Sequence, residues 1–268
     1  MQQTLGLYIY VTVRTFFAWL WLRYCRWVAQ PIRLVPRSNE FVHKIVIIGD
    51  GFAAGFGDWV TMDSAGGLAQ YIAKEIVNEP KIRHKWKVIN RGILNSDSAD
   101  WHPTSQTKYF QDVFSTRQLR DAEVVLVIVG SIDIRRYPRI PAAETLKNIQ
   151  SICDALTKKG KRVCVGSLCH IDIEAQNEAH RLENKAILDL CTDTSADELP
   201  IKMAPDLSTP IVRRADSKAF DGFHFNSKAY QQIARDTMTV LTPTLTAVEW
   251  TTWKKKLDGV TYDAALFE

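Results

Sequence analysis

Four short runs of β-branched and apolar residues are each followed by a stretch with helical spacing. This alternation restricts the chain to a narrow set of folds. The runs are Lys44–Ile48, Trp86–Asn90, Glu123–Val129 and Arg162–Gly166, and EVVLVIV at 123–129 is the clearest strand among them. Between and after them, Ala65–Val77, Lys108–Leu119, Ala142–Thr157, Glu174–Leu190 and Ser227–Leu241 read as helices. Leu146, Ile149, Ile152, Cys153 and Leu156 recur at the helical period, and Gly160 supplies a stop. Strands alternating with helices predict an α/β fold of three layers, α/β/α. Its mostly parallel sheet is covered on both faces, as in flavodoxin-like domains.

The first forty residues differ from the rest. Leu5–Leu22 (LGLYIYVTVRTFFAWLWL) contains no acid and one charge, Arg14. As a helix it spans about 27 Å, near the hydrocarbon thickness of a bilayer. Trp19, Trp21, Tyr24 and Trp27 lie toward one end, where an interfacial aromatic belt sits. Residues 1–29 are therefore read as an apolar membrane helix or one embedded in a complex. An interfacial amphipathic helix and a cleaved presequence are the alternatives. Pro31 and Pro36 mark 30–40 as a linker. The domain is expected over 41–245, with a C-terminal extension at 246–268. In that extension Trp250, Trp253 and Lys254–Lys256 either clamp back on the domain or dock on a partner.

The net charge of +4 lies wholly in residues 1–40; the remainder holds 29 basic and 29 acidic residues. No basic stripe points to nucleic acid. Arg23, Arg26, Arg33 and Arg37 follow the apolar run, which favours the cytosol or matrix for the globular part. An acid-free, arginine-bearing start suits a mitochondrial inner membrane with the domain in the matrix; the cytosolic face of another membrane is the alternative. Cysteine number is odd (Cys25, Cys153, Cys164, Cys169 and Cys191), and three of the five sit in apolar patterns. Free thiols in a reducing compartment are expected. His170, His180, Asp172 and Glu174 have no metal-ligand spacing, and neither metal nor cofactor is expected.

In parallel α/β sheets ligands bind at the carboxyl ends of the strands. The turns there carry motifs. After the first strand comes Gly49-Asp50-Gly51-Phe52-Ala53-Ala54-Gly55-Phe56-Gly57; after the second, Asn90-Arg91-Gly92-Ile93-Leu94-Asn95-Ser96-Asp97; after the third, Gly130-Ser131-Ile132-Asp133. Near the end stands Asp221-Gly222-Phe223-His224-Phe225-Asn226, followed by Ala229-Tyr230. In this order, over about residues 41–242, these four blocks resemble those of the SGNH (GDSL-type) ester hydrolases.

The resemblance implies an SGNH-hydrolase-like domain and assigns roles. The residue after Gly-Asp is the family's nucleophilic serine, and here it is Gly51. Gly92 supplies an oxyanion amide. The asparagine that donates to the oxyanion is replaced by Ile132. His224 takes the place of the general base and Asp221 that of its orienting carboxylate. On these terms the site is vestigial, with no intact catalytic set among Gly51, Gly92, Ile132, Asp221 and His224. Asp50, Ser96, Ser98 and Ser131 are weaker substitutes, because Asp50 holds the turn, the other strands carry the serines, and Ser131 has no base of its own.

The expected function is that of a catalytically inactive accessory subunit, with the membrane and other protein subunits as partners. The alternatives are a tethered esterase using the Asp–His pair and water, and a module binding a lipid or acyl chain in the cleft.

Overall fold

The structure is a computed structural model of the 268-residue chain. It describes residues 12–13, 15–17, 19–21, 23–24, 41–58, 66–115, 119–170, 174–192 and 200–258, the side chains of 174–177 excepted.

The strands are β1 (Val42–Gly49), β2 (Lys85–Asn90), β3 (Val124–Ile128), β4 (Arg162–Val165) and β5 (Lys202–Met203). Among the described residues they form one parallel sheet in the order β2-β1-β3-β4-β5. The helices of the domain are α1 (Gly51–Ala54), α2 (Gly67–Asn78), α3 (Tyr109–Ser115), α4 (Ala142–Thr157), α5 (Glu174–Thr192) and α6 (Ser227–Leu257).

Both faces of the sheet are buried, which explains why the strands read as continuous apolar runs rather than alternating ones. Ile45, Ile47, Val124 and Leu126 point into one core with α2 and α6. Their neighbours Val46, Ile48, Val125 and Val127 point into the other, with α3, α4 and α5. The fold is therefore three layers, α/β/α, as the alternation predicts. β1 lies between β2 and β3, so the strand order reverses there. In open parallel sheets the ligand crevice lies at such a switch point, here outside the carboxyl ends of β1 and β3.

α6 differs most from expectation. The helix does not end at Leu241 but runs to Leu257, across the boundary expected at 245, with Pro243 inside it. The reason is a buried acid. Glu249 accepts from the backbone N–H of Arg83 and of His84 at 2.9 Å each, and from Trp86 Nε1 at 2.8 Å. These bonds and the burial of Val248 fasten the extension to the start of β2. The clamp is thus made by Val248 and Glu249, while Trp250 and Trp253 are exposed.

Within the N-terminal segment the described residues between 12 and 24 are helical. The rest of the membrane helix expected over 1–29, the linker 30–40 and residues 259–268 lie outside the described residues. Among the described residues no helix is long and apolar enough to cross a membrane.

Candidate functional site

The site is built on tight turns at the switch point. Gly49 has φ +136°, and a Cβ there would lie 1.6 Å from the Ile128 carbonyl oxygen, so only glycine lets β1 leave the sheet this close to β3. The Asp50 N–H then donates to that same carbonyl at 2.9 Å. Asp50 caps α1, accepting from the Phe52 N–H at 2.9 Å. Its other carboxylate oxygen is buried without a hydrogen-bond partner. Burial pushes the Asp50 carboxyl up to about 8, the Phe52 N–H opposes this, and the neighbouring charge of Asp133 adds to it. Asp50 therefore holds the turn and lies beneath it.

The opposite wall comes from the loop before α6. Asp221 accepts from the N–H of Phe223 and of His224 at 3.0 Å each. Its second oxygen takes the His224 Nδ1 hydrogen at 2.5 Å. Burial works to raise the Asp221 carboxyl, but the His224 hydrogen bond and charge, with the two backbone donors, outweigh it and bring it to about 2. His224 is only 8% exposed. Its ring packs between Phe52, Phe56 and Phe223, with centroids 4.7–4.9 Å away. One nitrogen being committed to Asp221, the other is aimed across the crevice.

The residue it faces is Gly51. A Cβ at Gly51 would stand 2.5 Å from His224 Nε2 and 3.2 Å from Leu94 Cδ1. Gly51, Asp221 and His224 thus converge as the motifs predict. Among the described residues no serine, threonine or cysteine is hydrogen-bonded to Nε2. The substitute serines are engaged elsewhere. Ser96 Oγ donates to the carbonyls of Ile93 at 2.8 Å and Gly49 at 3.1 Å. Ser98 Oγ accepts from Asn148 at 2.9 Å, and Ser131 Oγ accepts from the Cys169 N–H at 3.0 Å.

Gly92 also lies where the motif order predicts. Its missing Cβ would sit 2.2 Å from the Ala54 nitrogen, so it packs directly on the end of α1. Its N–H, however, donates to Asn90 Oδ1 at 2.9 Å, and Asn90 Nδ2 donates to the Ala54 carbonyl at 3.2 Å. Asn90 and Leu94 both lie in the block after β2, but motif reading gave neither a role, because only the glycine of that block is assigned one. Ile132 heads a short 3-10 turn and is half-buried. The next residue, Asp133, accepts from the Ser98 N–H at 3.1 Å and from Thr145 Oγ1 at 2.8 Å.

A family model described as GDSL-like Lipase/Acylhydrolase matches residues 45–237. The chain belongs to this family. No curated protein matches it in sequence. Among solved structures, the lipase/acylhydrolase from Enterococcus faecalis aligns with a TM-score of 0.57 at 16% identity, over 75% of this chain and 96% of that one. The Clostridium thermocellum family 3 carbohydrate esterase gives 0.57 at 14%, over 77% and 100%. Axe2, an acetylxylan esterase from Geobacillus stearothermophilus, gives 0.55 at 14%, over 74% and 93%. At these identities the likeness concerns the fold of the GDSL-like domain alone.

The cysteines of the GDSL-like domain are free. Cys153, Cys164 and Cys169 are buried and Cys191 half-buried, and Cys25 lies outside the described residues. Burial pushes the Cys164 and Cys169 thiols up to about 12, far from a nucleophilic thiolate. Among the described residues no group of three or more His, Cys, Asp and Glu side chains is disposed to hold a metal.

Proposed function

We propose that this chain is a catalytically silent member of the GDSL-like family, serving as a membrane-associated accessory subunit of a larger assembly. The observation that carries the reading is the pairing of His224 with a residue that has no side chain. Acyl transfer needs a nucleophile within hydrogen-bond reach of its base. At 2.5 Å from Nε2, the direction in which such an atom would project is the missing Cβ of Gly51. Two further features support it. The Gly92 amide is bonded to Asn90 Oδ1, and Ile132 has no donor to offer an oxyanion. Removal of one such donor costs about 10²–10³ in turnover in a protease.

The membrane and subunit roles rest on the apolar, acid-free Leu5–Leu22 run with its one charge, Arg14. A mitochondrial inner membrane, with the domain in the matrix, fits that composition. The test is hydrolysis of short- and long-chain acyl esters by the full chain, with co-purifying chains identified after mild detergent extraction. We expect no turnover above background and stable partners. A monodisperse single-chain particle would count against the subunit role.

A second reading draws on the intact Asp221–His224 pair, which is suited to activating water. Turnover by the wild type that His224→Ala abolishes would establish it and overturn silence.

A further inference from the structure

We propose that the far end of α6 is a docking surface for an anionic lipid bilayer, holding the domain with its crevice turned away from the membrane. This deepens the membrane association proposed above and rests on it, but not on the silence of the cleft.

The helix changes character along its length. Leu241, Leu245, Val248 and Glu249 are buried against the domain. Trp250, Trp253 and Leu257 follow one another at i, i+3 and i+7 and so share one stripe, which continues the Leu245–Glu249 ridge beyond its buried part. They are 70%, 46% and 40% exposed. Lys254, four residues after Trp250, and Lys256, three after Trp253, flank the stripe on its two sides, and Lys255 lies on the far side of the helix; all three are exposed. Lysines in a last turn also suit the helix dipole. That does not account for two tryptophans in water.

The combination selects lipid over protein. Protein interfaces enrich tryptophan but deplete lysine. Tryptophan with adjacent lysines on one helix face matches the headgroup layer, where the ring is half in hydrocarbon and each cation meets anionic phosphate.

The geometry sets the orientation. α6 begins at its cap Asn226, two residues from His224, and its 31 residues carry it to the amino ends of the strands. Glu249 marks arrival there by holding Arg83 and His84, just before β2. Lys256 Nζ lies 5.5 Å from the ring centroid of Phe41, the residue preceding β1. Phe41, where the described domain begins, therefore lies at the same end as the tryptophans. The crevice lies at the other end, roughly 45 Å along the helix.

The test uses the full chain with vesicles of brominated phosphatidylcholine containing about a third phosphatidylserine. Wild type is compared with the double variant Trp250→Phe/Trp253→Phe, and the emission difference isolates this pair. We expect that difference to be quenched by bromine. The quenching should fall several-fold in vesicles without phosphatidylserine and in a Lys254→Gln/Lys255→Gln/Lys256→Gln variant. Protein that binds vesicles while the difference emission stays unquenched overturns the docking surface alone; cross-linking of this helix end to a co-purified chain would then assign it to a protein. Quenching indifferent to lipid charge also overturns it. Failure of the full chain to bind vesicles removes the membrane association as well. Ester hydrolysis reports on the crevice separately.

Discussion

His224 Nε2 lies where the side chain of residue 51 would project, 2.5 Å from the position of its absent Cβ. The imidazole cannot swing freely aside, because Asp221 holds its other nitrogen at 2.5 Å and three phenylalanine rings pack around it.

Gly51→Ser should therefore meet two obstacles, His224 and Leu94. Gly51 is not among the glycines with positive φ, so backbone strain adds nothing. Overpacking of this kind costs ~1–3 kcal/mol. We expect a lowered denaturation midpoint and no esterase activity in the single variant. Adding Leu94→Ala should recover part of the stability. Labelling by a serine-directed fluorophosphonate, in either variant, measures whether the new hydroxyl is activated.

Replacing Asp50 should alter the pH dependence of stability. Its folded carboxyl titrates near 8 instead of 3.8, so between these values the folded state holds a proton that the unfolded state has released. Stability from this group is full below 3.8 and declines as pH rises toward 8, at about 1.4 kcal/mol per unit. Asp50→Asn imitates the neutral acid and keeps the acceptor for Phe52. We expect the variant to match wild type at acid pH and to exceed it at pH 8, read from urea denaturation across the window. Equal slopes for the two proteins would refute the assignment.

Asp221 runs the opposite way. Its folded carboxyl lies near 2, below the ordinary 3.8, so its contribution is present above 3.8 and disappears as pH falls toward 2. The side chain is about a third exposed, which discounts the ion pair. Asp221→Asn should cost ~1–2 kcal/mol at neutral pH, chiefly through the His224 and backbone bonds. The cost should shrink below pH 3, as guanidinium midpoints will record.

Glu249 satisfies three buried or half-buried donors at once. Glu249→Ala leaves all three without an acceptor and should cost ~2–4 kcal/mol. Amide exchange at Arg83 and His84 should accelerate, and the last turns of α6 should lose protection ahead of the rest of the helix. Unchanged exchange there would mean that Val248 alone fastens the extension.

The layers were legible because every central strand is buried on both faces. Val, Ile and Leu then recur without interruption, as in VVLVI of β3, and each run stands out against its polar flanks. α4 was legible to the residue because Pro141 and Gly160 bracket a regular apolar stripe. β5 was not, since Lys202 and Met203 are too short to show any period. α6 beyond Leu241 was hidden by Pro243 and a run of threonines, and only a long-range contact, Glu249 with β2, reveals why it continues. At the site, motif order located Gly51, Gly92, Asp221 and His224. It could not reveal Leu94 over Gly51 or Asn90 on the Gly92 amide, because both depend on how loops meet in space.

α6 also has a mechanical consequence. It is one rod, capped at Asn226 beside the imidazole loop and pinned at Glu249 beneath the opposite pole of the sheet. A load applied to its tryptophan-bearing tip meets the Glu249 pin first and Pro243 next. Whatever grips that tip is coupled first to the amino end of β2, through Glu249, and only beyond Pro243 to the loop that carries His224.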